Sequence, residues 1–278
     1  MLAGVTTTYP VIFSGGFSPA FWRPVLGYTA LNILSYYVDV TPFVGMLVDG
    51  KPHTISLRVV NADAWYVDAN LHLWVDHDTK QTMGSLIKYE IEPNANITVV
   101  EDANFTTTVK REVTLVGWVR TLTLEIRSTV HCLIQFNNTL HITNEPYSRS
   151  WTQKIIQATT ISTSTQALGS SRQKLHVQTT SDEWPFSGTC VYAGKYVSSA
   201  SIDQGFSRKT LDQPDAGVVF ASEVHEKQIS SGPYSSPTLD TKLDYFDSTK
   251  RCYKREVIVN NTVIVSNEES EKCIEKMQ

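Results

Sequence analysis

Hydrophobic and polar positions alternate along much of this chain, most regularly from Trp65 to Asp76. Trp65, Val67, Ala69, Leu71, Leu73 and Val75 fall on one side of an extended backbone. Tyr66, Asp68, Asn70, His72, Trp74 and Asp76 fall on the other. A period of two over this length predicts a long β-strand with one face in a hydrophobic core.

The same rhythm predicts strands upstream at Val11-Ile12-Phe13, Tyr36 to Val40, and Thr54 to Val60, where Ile55, Leu57 and Val59 share a face. Asp49-Gly50-Lys51-Pro52 is a turn, with Asp-Gly the strongest local hairpin signal. Strands at this spacing predict an antiparallel β-sandwich over residues 1–78, followed by a polar linker at 79–85. A second β-rich domain is expected over 86–278. There, Val113 to Val119 and Leu122 to Ile126 flank a hairpin at Arg120-Thr121, and Val130, Cys132, Ile134 and Phe136 form an inward set. Ile155 to Gln178 is rich in Thr and Ser but still β-like, with Leu175 and Val177 facing one way. The pattern weakens from Ser198 to Pro237, where long loops are expected. It returns in Val257-Ile258-Val259 and Val263-Ile264-Val265, a hairpin about Asn260-Asn261-Thr262, because Asn tolerates positive φ. The fold class is all-β.

Composition narrows the function classes. The chain has 278 residues, 41% hydrophobic and 19% charged, which is globular. Its net charge of -4, with scattered Lys and Arg, gives no footprint for nucleic acid. No stretch approaches the ~20 apolar residues that span a bilayer, so no membrane partner is expected. Met1 to Trp22 lacks a basic region and is broken by Pro10, Gly15-Gly16 and Pro19, so it does not read as a signal peptide. The remainder has secretory character. Four Asn-x-Ser/Thr acceptor sites begin at Asn96, Asn104, Asn137 and Asn260, and the cysteine count is even, without a C-x-x-C pair. The C-terminal hairpin brings Cys252 within a few residues of register with Cys273. A bulge in Asn267–Glu271 would complete a disulfide, while Cys132 and Cys190 are either paired or free.

His72, Asp76, His77 and Asp78 are metal-ligating types, but on a strand His72 and Asp76 would lie about 13 Å apart, so no metal site is expected. Asp68 and Asn70 would sit side by side, with Tyr66, His72 and Trp74 continuing the row, as a polar groove with aromatic platforms for a carbohydrate. The same residue types also line interdomain surfaces. Trp22-Arg23 after a Gly-rich loop would present an indole and a guanidinium at a sheet edge. The alternative is Trp22 in a core, with Arg23 bonded to loop carbonyls. Asp182 and Glu183 are adjacent, so on a strand they face opposite ways and cannot share acid–base work. No nucleophile elbow, P-loop or dinucleotide fingerprint is present, and no cofactor is expected.

Five motifs taken together resemble one family. They are Pro10-Val11-Ile12-Phe13-Ser14-Gly15-Gly16, Trp22-Arg23-Pro24, Asp39-Val40-Thr41-Pro42-Phe43, Asp49-Gly50-Lys51-Pro52-His53 and Trp65 to Trp74. In order and spacing they are similar to the peptide-N4-(N-acetyl-β-glucosaminyl)asparagine amidases of the A type. The resemblance implies a secreted or endomembrane hydrolase that cleaves the side-chain amide joining an N-glycan to asparagine. It also implies a pair of jelly-roll sandwiches with the active site between them. Residues 1–78 then read as the C-terminal remnant of the second sandwich, and the chain as a C-terminal fragment, inactive without the first sandwich. Under that reading Trp22, Arg23, Asp68, Asn70 and Trp74 are substrate-positioning candidates, the ligand is an N-glycosylated peptide or glycan, and no residue is assigned as catalytic. The competing reading is a non-catalytic carbohydrate- or protein-binding β-sandwich.

Overall fold

The computed structural model describes residues 7–8, 31, 35–57, 68–91, 96–101, 104–144 and 147–272. Among them, eleven strands form one antiparallel sheet. They are β1 (Met83–Ile91), β2 (Asn96–Glu101), β3 (Asn104–Arg120), β4 (Leu124–Asn144), β5 (Tyr147–Ala167), β6 (Gln173–Ala193), β7 (Tyr196–Gln213), β8 (Phe220–Pro233), β9 (Thr238–Asp247), β10 (Cys252–Asn260) and β11 (Val263–Ser270). From β3 onward each strand pairs with the next, while β1 and β2 pair end to end along β3. β4, β5 and β6 have 21 residues each, which is ~70 Å of extended chain. Their length follows from sustained Thr, Ser, Val and Ile. Asn260 pairs with Val263 across Asn261 and Thr262, whose φ values of 48° and 68° make the two-residue hairpin expected there.

Proline interrupts this regularity once in the sheet interior. Pro185 in β6 has no N–H, and β6–β7 pairing lapses between Glu183↔Ser207 and Phe186↔Gln204. Gly205 accommodates the ring: a Cβ there would lie 2.9 Å from the Glu226 carbonyl and 3.6 Å from Pro185 Cγ.

The sheet has one buried and one open face. On the open face, acids and bases meet across strands, as in Lys154–Glu183 at 3.0 Å and Lys242–Glu256 at 2.6 Å. Such exposed pairs contribute little each. On the buried face, Val113, Leu115, Val130, Cys132, Ile134, Ile155, Trp184 and Phe206 form one cluster with Phe43. Phe186, Cys190, Ala200, Ile202, Leu239, Val257 and Val259 form a second.

The polypeptide before β1 contributes to the first cluster. A 3-10 turn (Thr41–Phe43) runs into a short helix α1 (Val44–Leu47), and Phe43 is fully buried. Asp39 pins this segment, accepting from the Thr41 amide at 2.9 Å and from the Ser128 hydroxyl at 2.6 Å. Backbone meets backbone here, since a Cβ on Gly117 would lie 2.4 Å from Pro42 Cα. Gly117→Val is therefore expected to lower stability by about 1–3 kcal/mol through overpacking, read as a shifted urea midpoint at constant slope.

Several expectations need correction. The described strands form a single antiparallel sheet, and residues 41–47 pack on it, while much of the sandwich expected over 1–78 lies outside the described residues. The strand expected from Trp65 to Asp76 is absent over its described residues, 68–76, and Tyr36 to Val40 is also irregular. Ile55 forms only an isolated bridge. Alternation marks an amphipathic extended segment, but a strand also requires a neighbour about 4.8 Å away, and no described residue supplies one. Val11 to Phe13, Trp22 and Arg23 lie outside the described residues. The long loops expected from Ser198 to Pro237 are instead β7 and β8. The C-terminal bulge falls at Ile258/Val259 rather than in Asn267–Glu271, and Lys254 pairs with Ser270. Cys252 Sγ lies 3.2 Å from the Glu271 carbonyl, and its expected partner Cys273 lies outside the described residues. Cys132 and Cys190 are free thiols. Cys132 is level with Thr180 of β6, and Cys190 is ten residues, or about 33 Å, farther along.

Candidate functional site

Asp68, Asn70 and Trp74 lie in the irregular segment before β1, all exposed. The side expected to enter a core is exposed too: Leu71 is 51% accessible, Leu73 63% and Val75 67%, beside Trp74 at 83%. Asp76, weighed above as a metal ligand, caps a turn instead. It accepts from the Asp78 amide at 3.0 Å and the Thr79 hydroxyl at 2.6 Å, and Thr79 accepts from the Leu122 amide at 2.7 Å. Led by the Thr79 hydroxyl, these donors hold its carboxyl below the ordinary range. Asp49 acts alike, accepting from the Lys51 amide at 3.0 Å and pairing with His53 at 2.7 Å. No group of three or more His, Cys, Asp or Glu residues is arranged to hold a metal ion among the described residues.

The concentrated chemistry lies on the buried face. Asp182 of β6 accepts from Arg208 Nε and Nη2 of β7 at 2.7 and 2.8 Å, a bidentate pair. The guanidinium sits 5.6 Å from the Tyr36 ring centroid and 5.4 Å from that of Phe206, and Nη1 donates to the Ser35 carbonyl at 3.4 Å. Burial works against its charge, but Asp182 outweighs that and holds the Arg208 pKa above its ordinary value. Glu183 faces the other way, toward Lys154, as strand geometry requires.

Farther along, Gln204 Nε2 donates to Gln228 Oε1 at 2.6 Å, and Gln228 Nε2 donates to the Thr241 hydroxyl at 3.0 Å, a chain across β7, β8 and β9. Glu226, two residues from Gln228 on the same side of β8, is 3% exposed, and neither carboxyl oxygen has a hydrogen-bond partner among the described residues. Desolvation pushes its pKa up to about 8, so Glu226 is protonated at neutral pH. Gln204 Oε1, on the strand alongside, is likewise unpartnered.

Arg208, Gln204, Glu226 and Gln228 were missed because each is a polar residue in an inward position. Ile202, Gln204, Phe206 and Arg208 share one side of β7, and Val224, Glu226, Gln228 and Ser230 one side of β8. Phasing β7 on Ile202 and Phe206 would have found them.

Two spaces accompany these groups. A cavity of about 30 Å³, lined by Thr7, Asp39, Cys132, Gln157 and Thr159, can hold a water. The unpartnered Gln157 Oε1 lies at this site. The Cys132 thiol there is pushed up by burial, the reverse of what a nucleophile needs. A shallow trough of about 440 Å³ crosses β5 to β8, lined by residues including Thr160, Thr179, Ser181, Lys209 and Glu223, with no aromatic ring in its lining.

Residues 1–92 match the family described as Peptide N-acetyl-beta-D-glucosaminyl asparaginase amidase A. Over 99% of its length the chain is 27% identical to the Peptide-N4-(N-acetyl-beta-glucosaminyl)asparagine amidase A of Prunus dulcis. The chain is thus similar to the amidase A family. It spans about half the length of that curated relative, 50%. No solved structure matches it. Within the amidase A match lie two motifs with evident local roles, Asp39 to Phe43, which docks on β3 and β4, and Asp49 to His53, which forms a turn. The buried groups Asp182, Arg208, Gln204 and Glu226 lie beyond residue 92 and within the wider likeness to the Prunus dulcis enzyme.

Proposed function

We propose that this chain is the C-terminal portion of a glycopeptide amidase that hydrolyses the glycosylated asparagine side-chain amide and releases the N-glycan. The observation that carries this reading is the family match over residues 1–92, joined to the exposed row Leu71, Leu73 and Val75 within it. An apolar row that alternates yet packs on nothing described suits a strand that pairs with further polypeptide. In this reading residues 1–78 complete a second jelly-roll sandwich beside a first, and Asp68, Asn70 and Trp74, with Trp22 and Arg23, face the substrate cleft between them. Amide hydrolysis requires a carboxylate to activate water and donors for the developing oxyanion. In this reading the activating carboxylate comes from the first sandwich.

The test compares the chain alone with the chain co-expressed with the segment that the Prunus dulcis relative carries outside the matched half. Glycan release from a glycopeptide by the pair only supports the proposal. Release by the chain alone would overturn its incompleteness. Glycan binding without release by both would favour a carbohydrate-binding module instead.

A secretory or endomembrane history belongs to the same reading. Asn137 and Asn260 are exposed, and Asn260 sits at the β10–β11 turn, open to a glycosyltransferase. Expression through a secretory pathway should add glycan mass at Asn260, and Asn260→Gln should remove one glycan's mass on intact-protein mass spectrometry.

A further inference from the structure

A second group of side chains on the buried face, at the end of β5 and β6 away from their hairpin, is half-buried. Tyr147, Arg149 and Trp151 occupy alternate positions of β5, so they point to one side and span about 13 Å. Arg149 pairs with Cys190 and Trp151 with Gly188 on β6, where Tyr192 follows Cys190 on the same side. The Arg149 guanidinium lies 5.5 Å from the Tyr147 ring centroid and 5.4 Å from that of Tyr192, and the two rings are 5.0 Å apart. Trp151 stacks on Phe186 at 6.2 Å and 22°, which fixes the plane of its indole. Tyr196 and Tyr234 stand exposed at this end, by the β6–β7 and β8–β9 turns.

The cation is the informative member. Arg149 forms no pair with a carboxylate among the described residues. Its Nε and Nη2 donate instead to the Tyr147 hydroxyl oxygen, at 3.0 and 2.6 Å. That edge is the fork which clamps carboxylates and phosphates. With a phenol oxygen occupying that edge, the guanidinium keeps its Nη1 donors for a ligand oxygen. Aromatic planes beside a donor of this kind suit a neutral ligand with apolar C–H faces and many acceptor oxygens.

We propose that Tyr147, Arg149, Trp151 and Tyr192 form a binding subsite for a neutral sugar ring of an N-glycan. The proposal rests on the amidase reading for the identity of the glycan. The rings stack on the C–H face of the sugar, and Arg149 donates to a hydroxyl or N-acetyl oxygen.

The test is binding of a free neutral N-glycan core oligosaccharide to the whole chain, followed by tryptophan fluorescence and by NMR titration. The expected result is saturable binding, weakened about tenfold by Arg149→Ala or Tyr192→Ala and unchanged by Lys154→Ala on the open face. Should a variant lose its fold, the Trp151 indole resonance of the unmodified chain still reads the site, and it should shift on titration. Absence of binding by the unmodified chain, equal binding by Arg149→Ala, or preference for inorganic phosphate over the neutral glycan would each overturn the subsite. Because no glycosidic or amide bond is cleaved, failure here is separate from failure of glycan release.

Discussion

Glu226→Gln will make the protein more stable at neutral pH and flatten the dependence of its stability on pH. The Glu226 carboxyl is 3% exposed, has no hydrogen-bond partner at either oxygen among the described residues, and has its pKa pushed by desolvation from 4.5 to about 8. Its neighbours across the sheet are Phe206 on β7 and Leu243 on β9, with Val224 and Gln228 beside it on β8. Arg208, the nearest cation along that side of β7, is already held by Asp182. A group whose pKa is raised on folding adds stability that is fully present below its unfolded pKa and is lost as pH rises through the folded value. Stability from this source should therefore decline from about pH 4.5 to about pH 8, by roughly 1.4 kcal/mol per unit within that window. At pH 7, keeping the proton costs about 3 kcal/mol, and a glutamine, always neutral, avoids it. Its amide also supplies a donor beside the unpartnered Gln204 Oε1. Urea unfolding at pH 5, 7 and 8.5 measures the effect. Parallel pH profiles for the two proteins would show that Glu226 is not held protonated by the fold.

The two ends of the chain were legible in the sequence to different degrees, and the physical cause is the same. The C-terminal hairpin was read correctly because both strands and the positive-φ Asn261-Thr262 turn lie within the nineteen residues Cys252–Ser270, so local chemistry decides the pairing. Trp65 to Asp76 alternates more regularly than any other segment, yet residues 68–76 form no strand. Alternation records which side of a segment avoids water, and only a partner converts that preference into a ladder. β7 and β8 failed in the opposite direction. Gln204, Arg208, Glu226 and Gln228 hold inward positions and hid a period of two that the backbone follows for 18 and 14 residues. The candidate chemistry was obscured for the same reason. Polar residues that serve one another across strands, such as Asp182 with Arg208, cannot be matched until the register is known.

Asp182→Ala is expected to destabilise the protein by about 3–5 kcal/mol, the largest effect of any single substitution considered. The Asp182 side chain is 4% exposed and that of Arg208 16%, so removing the carboxylate strands a guanidinium away from water. What remains around that cation is the face of Tyr36, the face of Phe206 and one long bond to the Ser35 carbonyl, none of which replaces a bidentate carboxylate. The loss should reach the segment before β1, because Arg208 also bonds the Ser35 carbonyl and faces the Tyr36 ring. Arg208→Met should be milder. It leaves a carboxylate that can take up a proton, at a cost that falls as pH is lowered. The double substitution Asp182→Leu with Arg208→Met removes both charges, and a well-packed apolar pair is often as stable as the ion pair it replaces. A double-mutant cycle from urea midpoints resolves these cases. Coupling near zero would mean that solvent reaches the pair and that Arg208 does not anchor the preceding segment. Strong coupling, with a double variant that unfolds near the unmodified protein but exchanges the Tyr36 amide faster, would show that this ion pair positions the N-terminal segment on the sheet rather than raising overall stability.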